Sequence, residues 1–360
     1  MIRMGSLPIK VFDFFSGCGG TSIGFAKAGL EIVYALDNDE DARASFQSYS
    51  KFKDAQFENR AIEEVKPREL APLVRQCSGY PLLFSGCAPC QPFSRQNHNR
   101  GEKDNRSPLL LEFLRFVRKF RPEYVFVENV PGIQRLNEDE GPLSEFISTL
   151  TELHYDHKAG MIASQDYGVP QLRRRFVLVA SKLGGIELPA PTHGPRSKTR
   201  RRYRHVRDTI EALPPIGAGE RHAADPFHRA AALNAKNLER IRCCKEGEGR
   251  EKWPSDFRLR CHDGYSGHSD VYGRMSWDRP ATGLTTRCIS LSNGRFGHPE
   301  QDRAISLREA ALLQTFPRRY EFHGSMASMA RQIGNAVPPR LAEVFGHHFE
   351  KHFKEHCANG

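Results

Sequence analysis

Residues 13–25 read DFFSGCGGTSIGF. The run 11–15 has the apolar character of a strand, and Gly17, Gly19 and Gly20 turn the chain from it into a helix pattern. Glycines at such a junction let backbone amides approach a ligand closely. A second strand pattern, 31–36, closes on Asp37, a place where an acid can hydrogen-bond ribose hydroxyls. The dinucleotide fingerprint requires a third glycine three residues beyond the second. Ser22 stands there instead, so an adenosine-containing ligand without a pyrophosphate fits better. By itself the turn reads equally well as a simple bend.

Outward from this stretch the alternation continues. Strand patterns fall at 81–85, 124–127 and 176–180, with helical patterns at 109–119 and 143–153 between them. This order predicts an α/β fold with a parallel sheet covered on both faces. Ligands in such sheets bind beyond the carboxyl ends of the strands, and Gly17, Asp37, Cys90 and Glu128 all fall at such ends. After about residue 184 prolines, glycines and charges rise and the alternation fades. The tract 196–207, RSKTRRRYRHVR, carries seven Lys or Arg in twelve residues. A helix pattern returns at 341–352.

Bulk composition narrows the classes. The 360 residues hold 53 Lys and Arg against 43 Asp and Glu, a formal charge of +10. That balance suits a polyanion and is equally compatible with a solubility charge. Nine irregularly spaced cysteines and a start without a long apolar stretch point to free thiols in a reducing cytoplasm. No run approaches the length of a membrane span.

Residues 84–94, FSGCAPCQPFS, end a buried-strand pattern and present Cys90 in a proline-bracketed turn. Cys87 and Cys90 form a Cys-x-x-Cys pair, open to a redox dithiol or half a zinc site. Cys243, Cys244, Cys261, His262 and His268 lack the spacing of a second zinc half-site, so no metal is expected. Cys87 also reads as a small core residue.

The run Pro89-Cys90-Gln91 after a strand, with the glycine turn upstream, resembles the bacterial carbon-5 cytosine-specific DNA methyltransferases. Glu128-Asn129-Val130 is similar to that family's Glu-Asn-Val element, and 171–175, QLRRR, to its Gln-x-Arg-x-Arg element. The span from Arg308-Glu309 through Gln314, Phe316 and Pro317 resembles its penultimate block, and 334–339, GNAVPP, its last. Each tripeptide is common alone; six in the family's order are not.

The resemblance implies a Rossmann-like methyltransferase fold using S-adenosylmethionine. It implies a catalytic and cofactor domain at 1–184, an inserted smaller target-recognition domain at 185–317, and a return to the catalytic domain at 318–360. Cys90 is then the nucleophile that adds to cytosine carbon 6. Glu128 contacts ring nitrogen 3 and the exocyclic amine, Arg175 the base carbonyl, and Arg173 supports the nucleophile. Phe15 lies near the adenine and Asp37 on the ribose. Ser16, Gly17, Cys18, Gly19, Gly20, Asn38, Ile62, Pro89, Asn335, Ala336 and Val337 complete the cofactor site. Two positions depart from the family pattern: Asn38 replaces a common apolar or aromatic residue, and Ala61 an expected aspartate.

The same resemblance implies double-stranded DNA as partner, with the target base flipped out of the stack. Residues 94–107 match the loop that closes over it, with Ser94 and Arg106 on the DNA. Arg200, Arg201, Arg202 and Arg204 are expected on phosphates, which position without specifying. A cytoplasmic monomer in a restriction–modification or defence setting, beside a separate endonuclease, is the expected context. A tRNA cytosine methyltransferase of the same fold and a catalytically inactive DNA-binding adaptor are the alternatives. Against the first stands the long basic insert before Arg308; against the second, the intact Cys90, Glu128 and arginine set.

Overall fold

The structure is a computed structural model that describes residues 7–89, 109–133, 141–199, 201–259 and 270–357. Two compact units divide the chain. The first comprises Met1–Ala163, Arg174–Ala190 and Leu341–Gly360, the second Ser164–Arg173 and Pro191–Arg340. Residues 318–340 thus lie in the second unit.

The first unit begins β1 (Lys10–Phe14), α1 (Gly20–Lys27), β2 (Glu31–Leu36), α2 (Glu40–Ser48), β3 (Gln56–Glu58), α3 (Pro67–Gln76) and β4 (Leu82–Gly86). It continues with α4 (Leu109–Phe120), β5 (Tyr124–Asn129), α5 (Pro142–Glu152) and β6 (Asp156–Ala163). After β7 (Gln171–Leu172), which pairs within the second unit, β8 (Arg174–Ser181) rejoins the sheet. The strand order is β3-β2-β1-β4-β5-β8-β6.

The first five strands in that order are parallel, as expected, but β8 runs antiparallel to both β5 and β6. The all-parallel expectation is corrected there. A parallel pair needs a crossover of a dozen or more residues. The stretch from β6 to β8 carries no crossover helix, so the chain doubles back.

Both faces of the sheet are covered, for the period-two reason. Phe12 and Phe14, Phe84, Val125 and Val127, and Phe176 and Leu178 face one way, against Leu70 of α3, Phe113 and Phe116 of α4 and Phe146 of α5. Phe126 faces the other way and meets Phe25 of α1 together with Phe345 and Phe349 of the C-terminal helix Pro339–Cys357. Burying each such ring contributes roughly 1.5–3 kcal/mol. Gly346 lets that helix close on α1, since a Cβ there would stand 2.6 Å from the Ala28 Cβ.

The second unit has few strands, so its buried backbone needs other partners. Arginines supply them. The Arg274 guanidinium donates to the carbonyls of Cys244 (2.7 Å), His298 (3.0 Å), Gln301 (2.6 Å) and Ile241 (3.1 Å). Arg303, fully buried, donates to both oxygens of Glu309 at 2.7 and 2.8 Å. Glu309 also receives the Ser306 amide in a capping box that starts the helix Leu307–Leu313.

Candidate active site

At the end of β1 the backbone turns left-handed. Phe15 has φ 60°, Gly17 51° and Gly19 83°. A bulky residue in that region is strained, and such strain persists only where the surroundings over-determine it. The Ser16 amide donates to the Leu36 carbonyl at 3.0 Å, and the Gly17 amide to Asp37 Oδ2 at 2.8 Å. Asp37 Oδ1 accepts from the Asp39 amide at 2.9 Å. One carboxylate therefore ties the first turn to the end of β2. Burial raises the Asp37 pKa, while these amides oppose the rise.

Gly19 admits no side chain, because a Cβ would come within 2.9 Å of the Phe46 ring. A Cβ at Gly17 would meet nothing within 4 Å. The turn thus faces open space beside a partly exposed Asp37. The Asp37 carboxylate, an acceptor for hydroxyls, and the open space at Gly17 fit an adenosine-bearing ligand. Cys18 and Ile62 are buried, and Asn38 is exposed. Below the turn, Asp13 Oδ2 accepts from Ser22 Oγ at 2.6 Å. Burial pushes the Asp13 pKa up to about 6.

The strand β4 delivers the next segment. The Cys87 amide donates to the Phe14 carbonyl at 3.4 Å, and its thiol lies 3.7 Å from Thr21 Oγ1. Asn129 Nδ2 donates to the Ala88 carbonyl at 3.1 Å. Burial, followed by the charges of Glu128 and Asp13, pushes the Cys87 thiol well above its usual pKa. A thiol held neutral this way is a poor nucleophile. Pro89 is exposed at the end of this segment. Cys90, Ser94 and Arg106 lie outside the described residues, as does Arg200.

Glu128 and Arg175 are brought together by neighbouring antiparallel strands. Arg175 Nε stands 2.8 Å from Glu128 Oε1, with the side chains 14% and 9% exposed. The guanidinium is turned so that Nη1 donates to the Arg174 carbonyl at 2.8 Å, and no well-aligned hydrogen bond reaches Glu128 Oε1. The contact is a close ion pair that leaves Oε1 able to accept a further donor.

Arg173, expected beside the nucleophile, is buried in the second unit. It donates to the carbonyls of Leu284 (2.7 Å) and Gly334 (3.0 Å). Asn335 is exposed, Ala336 half-buried and Val337 buried. In the basic tract, Arg202 is bidentate on Asp208, both contacts at 2.7 Å. Arg196 (2.6 Å) and the Tyr203 hydroxyl (2.8 Å) share the buried Asp166. Arg201 and Arg204 are exposed and make no ion pair among the described residues. Asp166, Asn129 and Gln314 escaped the sequence reading. Asp166 sits in an irregular segment with no motif around it, whereas Asn129 and Gln314 fell inside quoted elements without an assigned task.

The α/β sheet thus carries an open glycine turn, an acid at the neighbouring strand end and a buried acid–arginine pair. The profile of the C-5 cytosine-specific DNA methylases matches residues 9–351, and the chain belongs to that family. It is 40% identical over 344 residues to the type II methylase M.HgiDII of Herpetosiphon aurantiacus, covering 93% of each chain. It is 33% identical over 359 residues to the type II methyltransferase M1.BsuMI of Bacillus subtilis, covering 94% of this chain and 80% of that one. Two solved structures share the fold. One is a protein assigned as a DNA modification methyltransferase encoded within an Escherichia coli prophage, with TM-score 0.70, 22% identity and coverage of 95% and 99%. The other is the Dnmt2 methyltransferase of S. pombe, with TM-score 0.57, 17% identity and coverage of 95% and 98%. No helix among the described residues is long and apolar enough to cross a membrane.

Proposed function

We propose that this DNA cytosine methyltransferase acts through a covalent Cys90 adduct on a flipped cytosine in a specific duplex site. The observation that carries the reading is the Glu128–Arg175 pair, with Glu128 on β5, the strand next to β4 and the segment that leads to Cys90. Cytosine carbon 5 is a weak nucleophile. The Cys90 thiolate adds to carbon 6, and the electron pair this pushes into the ring makes carbon 5 enamine-like. Covalent addition splits one hard step into two easier ones. Glu128 meets the edge of the base at nitrogen 3 and the exocyclic amine, stabilising charge as the thiolate adds. Arg175 fixes that carboxylate and faces the base carbonyl. After carbon 5 takes the methyl, its proton leaves to a base, the electron pair returns and the carbon–sulfur bond breaks.

S-adenosylmethionine, when bound, supplies an electrophilic methyl. Gly17 and its flanking turn would hold it, with Asp37 on the ribose and Phe15 near the adenine; Asn335, Ala336 and Val337 belong to the same proposed set. The second unit contains residues 191–317 of the region proposed for target recognition. Restriction–modification is the proposed setting, with the chain acting as a cytoplasmic monomer and a nuclease acting separately. The type II relatives support that setting.

Bisulfite sequencing of DNA from a host expressing the chain tests the activity and finds the site together. Protected cytosines at one short recurring sequence are expected. Unprotected DNA together with newly methylated tRNA cytosine would reassign the substrate.

The basic tract gives a second test. Arg201 and Arg204, without an ion pair among the described residues, are the cations proposed on phosphate; Arg202 already has Asp208 as counter-charge. Arg201→Ala and Arg204→Ala should each weaken binding to all duplexes and flatten the salt slope by up to about one unit. Arg202→Ala should flatten it less. Titrations from low to moderate salt read this directly. Equal slopes in all three variants and the parent would remove the tract from the DNA.

A further inference from the structure

We infer that Arg173, Gln171 and Gln314 form a clamp that sets the backbone on both sides of Asn335, and that Arg173 serves the reaction by positioning this turn. The inference rests on the reading of residues 335–337 as part of the cofactor site.

The argument begins with strand periodicity. In extended chain, side chains two apart share a face, and Gln171 of β7 and Arg173 just after it are both buried, while Leu172 between them is 52% exposed. Both inward side chains grip Leu284. Gln171 Oε1 accepts its amide at 3.1 Å, and Arg173 Nη1 donates to its carbonyl at 2.7 Å. Each then reaches toward the end of the helix Met326–Asn335. Arg173 Nη2 donates to the Gly334 carbonyl at 3.0 Å. Gln171 Nε2 donates to Gln314 Oε1, and Gln314 Nε2 to the Ala336 carbonyl at 2.6 Å.

The last carbonyls of a helix have no partner within it, and a cation there also complements the helix dipole. Here the carbonyls before and after Asn335 are both taken, one by a guanidinium and one by an amide. Asn335 itself is left exposed between them. Gly334 completes the arrangement, because a Cβ there would stand 2.1 Å from the Thr285 carbonyl oxygen. The turn lies against the segment the clamp grips, and no other residue type permits that approach.

Arg173→Lys keeps the charge but loses the planar fork that spans two carbonyls. Gln314→Glu keeps the shape but turns an oxygen toward the Ala336 carbonyl. Each should raise the cofactor Kd and KM roughly tenfold, the effect of losing one buried hydrogen bond. Most of the rate should return at saturating cofactor. Adding Asn335→Ala to either should cost little more than the larger single change, because residues in one network are not additive. Calorimetry for the cofactor and single-turnover methylation separate these terms. Should Arg173→Lys fail to fold by thermal melting, the Gln314→Glu pair carries the same test.

A fall in single-turnover rate at saturating cofactor, with Kd at the parent value, would show that Arg173 acts on the substrate and would overturn the clamp. Additive double variants would do the same. If Asn335→Ala weakens the cofactor while Arg173→Lys and Gln314→Glu leave its Kd at the parent value, the clamp alone fails. If Asn335→Ala itself leaves cofactor binding intact, the reading of the turn as cofactor site fails and the inference falls with it.

Discussion

Cys90→Ser is expected to abolish methyl transfer, lowering the rate by at least about a thousandfold, because an alcohol is far less ionised near neutral pH than a thiol. The sharper form of the experiment traps the adduct. Fluorine at carbon 5 cannot leave as a cation, so the carbon–sulfur bond cannot break once the methyl has been added. A duplex carrying 5-fluorocytosine at the target should hold the parent protein through denaturing electrophoresis, only when S-adenosylmethionine is present. Mass spectrometry should place the adduct on the peptide containing Cys90. Cys87→Ser is the control. The Cys87 thiol is held neutral by burial and by the charges of Glu128 and Asp13, and it packs against Thr21. That variant should therefore still trap. Equal loss in both variants would return the Cys-x-x-Cys pair to a shared redox or metal role, and an adduct on another cysteine would displace the nucleophile.

The second large effect is expected at Glu128. Glutamine has nearly the same shape but carries no charge and cannot pass a proton to ring nitrogen 3. General acid–base assistance of this kind contributes about 10²–10⁴-fold, and Glu128→Gln should lose a factor in that range in single-turnover rate. The change also leaves the Arg175 guanidinium largely buried without its counter-charge. Removing one partner of a buried pair costs on the order of 3–5 kcal/mol, less here because both side chains keep some solvent. A melting-temperature drop is therefore expected alongside the rate loss. Saturating cofactor and DNA should not restore the rate, which separates a chemical role from a binding one. A variant with parental turnover and only a lowered melting temperature would make Glu128 a strand-end salt bridge.

The local elements were legible because their signals are local. The strand at 31–36 coincides with β2, and the other predicted strands and helices of the first unit fall within a few residues of those observed. Repeating apolar residues at period two mark a buried strand wherever the chain later places it. β3 and β6 were missed for the same reason. β3 is three residues long, and β6 is half-exposed along most of its length, so neither carries a clear run. The direction of β8 was not legible either, because it depends on the length of the connection rather than on the strand's own residues.

The sequence by itself determined the family, the glycine turn with Asp37 at the neighbouring strand end, and the order of the motif-bearing segments, since all of these reside in residue type and spacing. It could not sort the arginines. Arg173, Arg175, Arg202 and Arg303 are chemically alike along the chain, yet one grips helix-end carbonyls, one pairs with Glu128, one is neutralised by Asp208 and one is buried on Glu309. A guanidinium can satisfy carbonyls, carboxylates and phosphates alike, and which of them it meets is decided by where the folded chain sets its partners, 161 residues away for Arg173 and only six away for Arg202 and Arg303.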